Sequence, residues 1–110
     1  MEISDDFMKE RLSLAKNYTI CVLKSTPKRY KAGSDKIIKE HGRRNMSLNL
    51  DGKLSIVCPV NDGTDFSGIG IFNAPIEEVK ILLDDDPGVK AGIFTYELHP
   101  CRGFPGSVLP

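Results

Sequence analysis

The chain has no tryptophan, only two histidines, three widely separated cysteines and no excess of either charge, and each scarcity removes a class of function. With 15 basic against 15 acidic residues, no net field draws the molecule toward nucleic acid or an anionic membrane. Cys21, Cys58 and Cys101 form no C-x-x-C pair, and His41 and His99 lie too far apart for a metal-binding histidine motif, so no metal is expected. Three dispersed thiols fit a reduced, cytoplasmic setting, with Cys21 and Cys58 as small apolar residues inside strands. No Ser-His-Asp order occurs. The only G-x-G, Gly68-Ile69-Gly70, falls within a strand pattern, which excludes a dinucleotide loop and leaves no cofactor to expect. No stretch approaches the ~20 apolar residues of a membrane span. The opening MEISDD is acidic where a secretory leader is basic, so no leader is expected.

What remains is the composition of one soluble globular domain: 110 residues, 40% hydrophobic and 27% charged. Residues 1–16 read as an amphipathic helical extension, capped by Asp5 or Asp6, with Phe7, Met8, Leu12 and Leu14 as an imperfect apolar stripe. Residues 17–106 form the domain proper, and 107–110 are a tail. Tyr18–Leu23 is rich in β-branched and apolar residues, a first strand. Lys28–Lys31 is a basic loop of the sequence KRYK, from which one cation would suffice for a small carboxylate-bearing molecule. Ser34 with Asp35 offers the cap of a helix running to Leu50 and carrying Ile37, His41 and Leu48 on its inward face. Leu54–Cys58 and Phe66–Phe72 are the second and third strands. In the third, Ser67, Ile69 and Ile71 share one face while Gly68 and Gly70 leave a trough on the other. Pro75 opens a second amphipathic helix, and Ile93–His99 alternates as a fourth strand.

Strand, helix, strand, strand, helix, strand is the ferredoxin-like βαββαβ order of an α+β fold, here behind an extra N-terminal helix. Both helices fall on one side of an antiparallel sheet, yet apolar residues occupy both sides of the strands. A homodimer closing the bare faces into a dimeric α/β-barrel is therefore expected.

The chemistry gathers near Asp84-Asp85-Asp86. Three carboxylates at a helix C-terminus oppose its dipole, and Asp86, tied to Pro87, is the one expected to serve another purpose. His41, directed inward or to a cleft edge on the first long helix, is the other candidate, since a neutral imidazole abstracts a proton when a carboxylate fixes its tautomer. Tyr96, Arg102 and Phe104, with Gly68 and Gly70, are further candidates for a pocket wall. His99 on the last strand reads as a structural or dimer-contact residue.

These features resemble the YCII-related proteins of the dimeric α/β-barrel group over about Tyr18 to Gly106. The resemblance rests on His41 in the first long helix and on Gly52-Lys53-Leu54 opening the second strand. Pro59 precedes a polar Asn61-Asp62-Gly63 loop, Asp86-Pro87-Gly88-Val89-Lys90-Ala91-Gly92 forms an acidic-Pro turn, and the chain closes on HPCRGFPG. Cys58 and Cys101 stand where the family commonly has a glycine and an aromatic residue. The resemblance implies a pocket between helices and sheet centred on His41 and Asp86. It also implies acid-base chemistry such as elimination or isomerisation on a small, aromatic-sized substrate, one activity in the family being dehydrohalogenation of an aromatic ring. The alternative is a non-catalytic ligand-binding or assembly module with the same pocket.

Overall fold

A computed structural model describes residues 1–110 and contains helix α1 (Asp5–Ser13), strand β1 (Lys16–Ser25), a 3-10 turn (Pro27–Tyr30) and helix α2 (Ser34–Leu50). Strands β2 (Leu54–Pro59) and β3 (Phe66–Phe72), helices α3 (Ile76–Asp84) and α4 (Pro87–Lys90), and strand β4 (Phe94–Gly103) complete it. The sheet is antiparallel in the order β2-β3-β1-β4, the ferredoxin-like arrangement expected from the element order.

Register sorts the side chains. Thr19, Cys21 and Leu23 of β1 pair with Phe72, Gly70 and Gly68 of β3 and with Pro100, Leu98 and Tyr96 of β4, so all of these share the face under the helices. Ile20 and Val22, opposite Ile71 and Ile69, lie on the other face and are only half-buried. The core forms between the covered face and the helices: Cys21, Leu54 and Phe72 meet Ala74, Val79 and Leu83. Val79 and Leu54 are fully enclosed, each contributing on the order of 2 kcal/mol through removal from water. Thr19 is buried here too, its hydroxyl donating to the Ala74 carbonyl at 2.8 Å, and no buried side-chain polar atom lacks a partner.

Local outcomes differ from the sequence expectations in instructive ways. α1 starts at Asp5 under a cap from Ser4, whose hydroxyl accepts from the Phe7 amide, so the two aspartates supply first-turn charge and not the cap. None of its residues is buried, and Phe7, Met8, Leu12 and Leu14 are all about half exposed. The radius of gyration is 16.3 Å, where a compact chain of this length has about 13 Å, in keeping with a helix that buries none of its residues and an exposed C-terminal segment. The cap of α2 is Gly33, at φ +88°, a left-handed conformation that a side chain resists. Ser34 is instead turned inward, its hydroxyl donating to the Lys28 carbonyl at 2.7 Å. The KRYK loop is the 3-10 turn, capped by Thr26 and opened by Pro27. β4 runs on to Gly103 despite Pro100, which an edge strand tolerates.

Candidate active site

The Asp86-Pro87-Gly88 turn is in fact a helix start. Asp86 caps α4 through Oδ2, which accepts from the amides of Gly88 at 2.9 Å and Val89 at 3.2 Å, and Pro87 follows at the first helical position. Gly88 is required by space: a Cβ there would lie 2.5 Å from the ring of buried Phe94 and 3.1 Å from Oδ2 of Asp86. The cap thus fixes the carboxylate, and Gly88 lets the turn pack closely on the first residue of β4.

His41, in the middle of α2, reaches this carboxylate. Its Nδ1 lies 2.8 Å from Oδ1 and 2.9 Å from Oδ2 of Asp86, with side-chain exposures of 12% for the imidazole and 2% for the carboxylate. An ionised carboxylate only accepts, so Nδ1 carries a proton, and in the neutral ring Nε2 has the lone pair. Nε2 is 3.3 Å from the Asn45 amide nitrogen, one helical turn on, which donates to it. The imidazole also rests against Phe94, ring centroids 4.7 Å apart at 44°.

Arg44 completes the surroundings of Asp86. Its Nη1 donates to the Leu82 carbonyl at 2.7 Å and lies 3.8 Å from Oδ1. Burial alone would push the Asp86 carboxyl up, but the His41 bond and charge, with the two cap amides, outweigh it and hold the group below the usual carboxylate range. Asp84 and Asp85 are answered differently, at the surface: Asp84 accepts from Lys80 at 2.7 Å and from the Tyr96 hydroxyl at 2.5 Å, and Asp85 pairs with Lys90 at 2.7 Å. The acidic triplet therefore divides as its position suggested, two solvent-side charges and one inward.

His41 and Asn45 line a cavity of about 230 Å³ between α2 and the β2-β3-β1 part of the sheet. Ile38, Leu54, Val57 and Phe94 supply much of its apolar wall, and Gly68 and Gly70 give the floor its depth. A Cβ on Gly68 would come within 3.0 Å of the Cys58 carbonyl and one on Gly70 within 3.1 Å of Leu54. Cys21 also borders it, but burial, and behind it the Asp86 charge, push that thiol up to about 12, so it stays protonated and unreactive.

Of the residues singled out from sequence, His41, Asp86, Gly68 and Gly70 converge here. Tyr96, Arg102 and Phe104 do not line this cavity. Tyr96 sits on the helix-covered face but turns its hydroxyl to Asp84, Arg102 is exposed near the end of β4, and Phe104 lies under the guanidinium of Arg11 from α1. Among the lining residues not expected in the pocket are Asn45, Phe94 and Ser67, while Arg29 comes from the KRYK loop in which a carboxylate-binding cation was anticipated. Asn45 is four residues after His41 and Phe94 shares the inward parity of Tyr96, so both had a readable signal. Ser67 had none: β3 carries a bulge opposite Leu23 and Lys24, where the register skips Ser67. The skip lets it bond Ser25 and Arg29 at the cavity instead of lining up with Ile69.

The fold recurs in a dehydrochlorinase. The chain is similar to 5-chloro-2-hydroxyhydroquinone dehydrochlorinase (TftG) from Burkholderia phenoliruptrix AC1100, solved in complex with 2,5-dihydroxybenzoquinone. The TM-score is 0.51 with 22% identity, covering 74% of this chain and 90% of TftG. At that identity the likeness to TftG establishes the shared α+β fold. No family model and no curated protein matches the chain. No helix is long and apolar enough to cross a membrane.

Proposed function

We propose that this protein is a YCII-related, cytoplasmic homodimer in which His41, oriented by Asp86, acts as a general base in an elimination or isomerisation on a small ring compound. The observation that carries the reading is the polarity of the pair: Nδ1 is committed to the Asp86 carboxylate, and Nε2, held only by a long 3.3 Å contact from the Asn45 amide, becomes available to a substrate proton once that amide is displaced. A base so placed takes a proton from an acidic C–H or O–H. The resulting imidazolium, its charge stabilised by Asp86, returns the proton to another atom or assists departure of a leaving group. The step requires no metal. The cavity, at about 230 Å³, is smaller than the ~300–1,000 Å³ of drug-sized sites and suits a single ring. That TftG is a dehydrochlorinase solved with 2,5-dihydroxybenzoquinone supports the reaction class and the ligand size.

The uncovered sheet face supports the homodimer, since Ile20, Val22, Ile69 and Ile71 on neighbouring strands are only half-buried there. The cytoplasmic assignment rests on three free cysteines. One observation favours a second reading, a non-catalytic ligand-binding module: Asp86 also caps α4 and joins it to α2, a purely structural duty. The two readings separate on chlorinated hydroquinones and hydroxyquinones incubated in D₂O. Chloride release or deuterium uptake should fall about 10²-fold or more in His41→Gln. Equal rates in both proteins favour the binding module.

A further inference from the structure

Arg29 is a cation at the cavity with no anion to answer it. It follows Thr26-Pro27 in the 3-10 turn, is half-buried, and lines the same cavity as His41. It is the only arginine or lysine lining the cavity, and the nearby Arg44 is answered by Asp85 and Asp86. No ion pair in the molecule includes Arg29. A half-buried guanidinium without a carboxylate is costly unless a ligand supplies one.

The hydroxyls around it define which of its donors are free. Nη1 donates to Ser25 Oγ at 2.7 Å and to Ser67 Oγ at 3.1 Å, which uses both of its hydrogens. Ser67 Oγ in turn lies 3.3 Å from the Asp65 carbonyl, so it donates there, and Ser25 donates to Ser67. The relay runs one way, from guanidinium to backbone, and clamps Nη1. Nε and Nη2 have no protein partner, and their parallel N–H bonds form the edge that matches the two oxygens of a carboxylate. The guanidinium carbon lies 5.8 Å from the centre of Phe94, the ring that also touches the His41 imidazole. Arg29 and His41 thus pack on the same ring and border the same cavity.

We infer that the cavity is built for a ring-bearing carboxylic acid, its carboxylate forked by the Nε–Nη2 edge of Arg29 and its reacting proton presented to Nε2 of His41. The placement of the reacting proton rests on the acid-base reading above, whereas capture of the carboxylate by Arg29 does not. Arg29 is here a specificity residue, selecting anionic rings over neutral ones of equal shape.

Calorimetry with benzoate and its neutral isostere benzamide tests this on the full chain. Wild-type protein should bind benzoate about tenfold or more tightly than benzamide, and Arg29→Gln should erase that preference. Arg29→Lys, which keeps the charge and loses the fork, should lose most of it. His41→Gln should retain it. Thermal unfolding of each variant confirms that it is folded, and the lysine variant carries the test if the glutamine one is not. Equal binding of the two compounds by wild-type protein, an undiminished preference in Arg29→Gln, or failure of benzoate to saturate in the millimolar range overturns the inference. Arg29-dependent capture of benzoate without any His41-dependent proton exchange leaves the anion site standing and removes the catalytic reading. His41-dependent exchange on neutral rings with no benzoate preference does the reverse.

Discussion

Replacing Asp86 by asparagine separates the two duties of its side chain. Asparagine caps a helix as well as aspartate does, so its carbonyl oxygen remains on the amides of Gly88 and Val89, now 2.9 and 3.2 Å from Oδ2. That leaves the NH₂ group facing Nδ1 of His41, where the carboxylate now accepts at 2.8 Å. A donor there opposes an N–H on Nδ1, leaving only the cap oxygen at 2.9 Å to accept from it, so the balance of tautomers shifts toward a proton on Nε2 and away from a lone pair at the cavity. Loss of the orienting carboxylate from such a pair costs on the order of 10⁴-fold in rate. The stability cost is the charge-assisted bond and the attraction of Arg44, together about 2 kcal/mol. For a domain of this size that lowers the melting temperature by about 8–16 °C. The pH dependence has a definite sign. The folded-state carboxyl is held below its ordinary value, so its contribution is complete above the unfolded value of about 4 and fades as pH falls through the lower folded one. Urea unfolding at neutral pH should therefore separate the two proteins, and the gap should close in acid. A variant as stable as wild type at pH 7, or a gap that persists unchanged at low pH, refutes the reasoning.

Three other outcomes follow from the packing. Gly88→Ala should cost about 1–3 kcal/mol, because the added methyl meets a buried ring at 2.5 Å; chemical denaturation measures it, and an unchanged midpoint contradicts the tight fit. Deleting residues 1–13 should leave the far-UV spectrum of the remainder and its cooperative unfolding intact, since α1 buries none of its residues; loss of the transition would make the helix part of the core. Sedimentation should give a dimer at micromolar concentration and a monomer for Ile71→Glu on the uncovered sheet face, and a monomeric parent would remove the barrel assembly.

The order of elements is legible in the sequence because it rests on local signals, whereas the pairing of His41 with Asp86, across 45 residues, came from the family resemblance; local signals mark each residue but do not join them. Periodicity places His41 on the inward face of α2, and an aspartate followed by proline where a helix has just ended marks a feature that the dipole of α3 does not explain. Even there, the Asp-Pro-Gly stretch was read as a turn when its chemistry, cap then Pro at the first helical position, also spells a helix start. The pocket wall was less accessible. Strand alternation carried Tyr96 inward correctly, but its hydroxyl is claimed by Asp84, whose position is set by the end of α3 and not by β4. Arg29 and Ser67 meet across 38 residues through a bulge that no residue type announces, so their relay exists only once β1 and β3 are paired. Phe104, expected in the pocket, ended against α1 because β4 continues past Pro100 and carries the C-terminal residues away from the cavity.

The central claim is that His41 presents an unprotonated Nε2 to the cavity because Asp86 holds the proton on Nδ1. Nitrogen-15 correlation spectra of the His41 ring at neutral pH read the tautomer directly. In the neutral ring, a protonated Nδ1 with a pyridine-like Nε2, reversed in Asp86→Asn, is the predicted result. A ring protonated on Nε2 with a bare Nδ1 in the parent protein would contradict it and leave His41 without a base to offer.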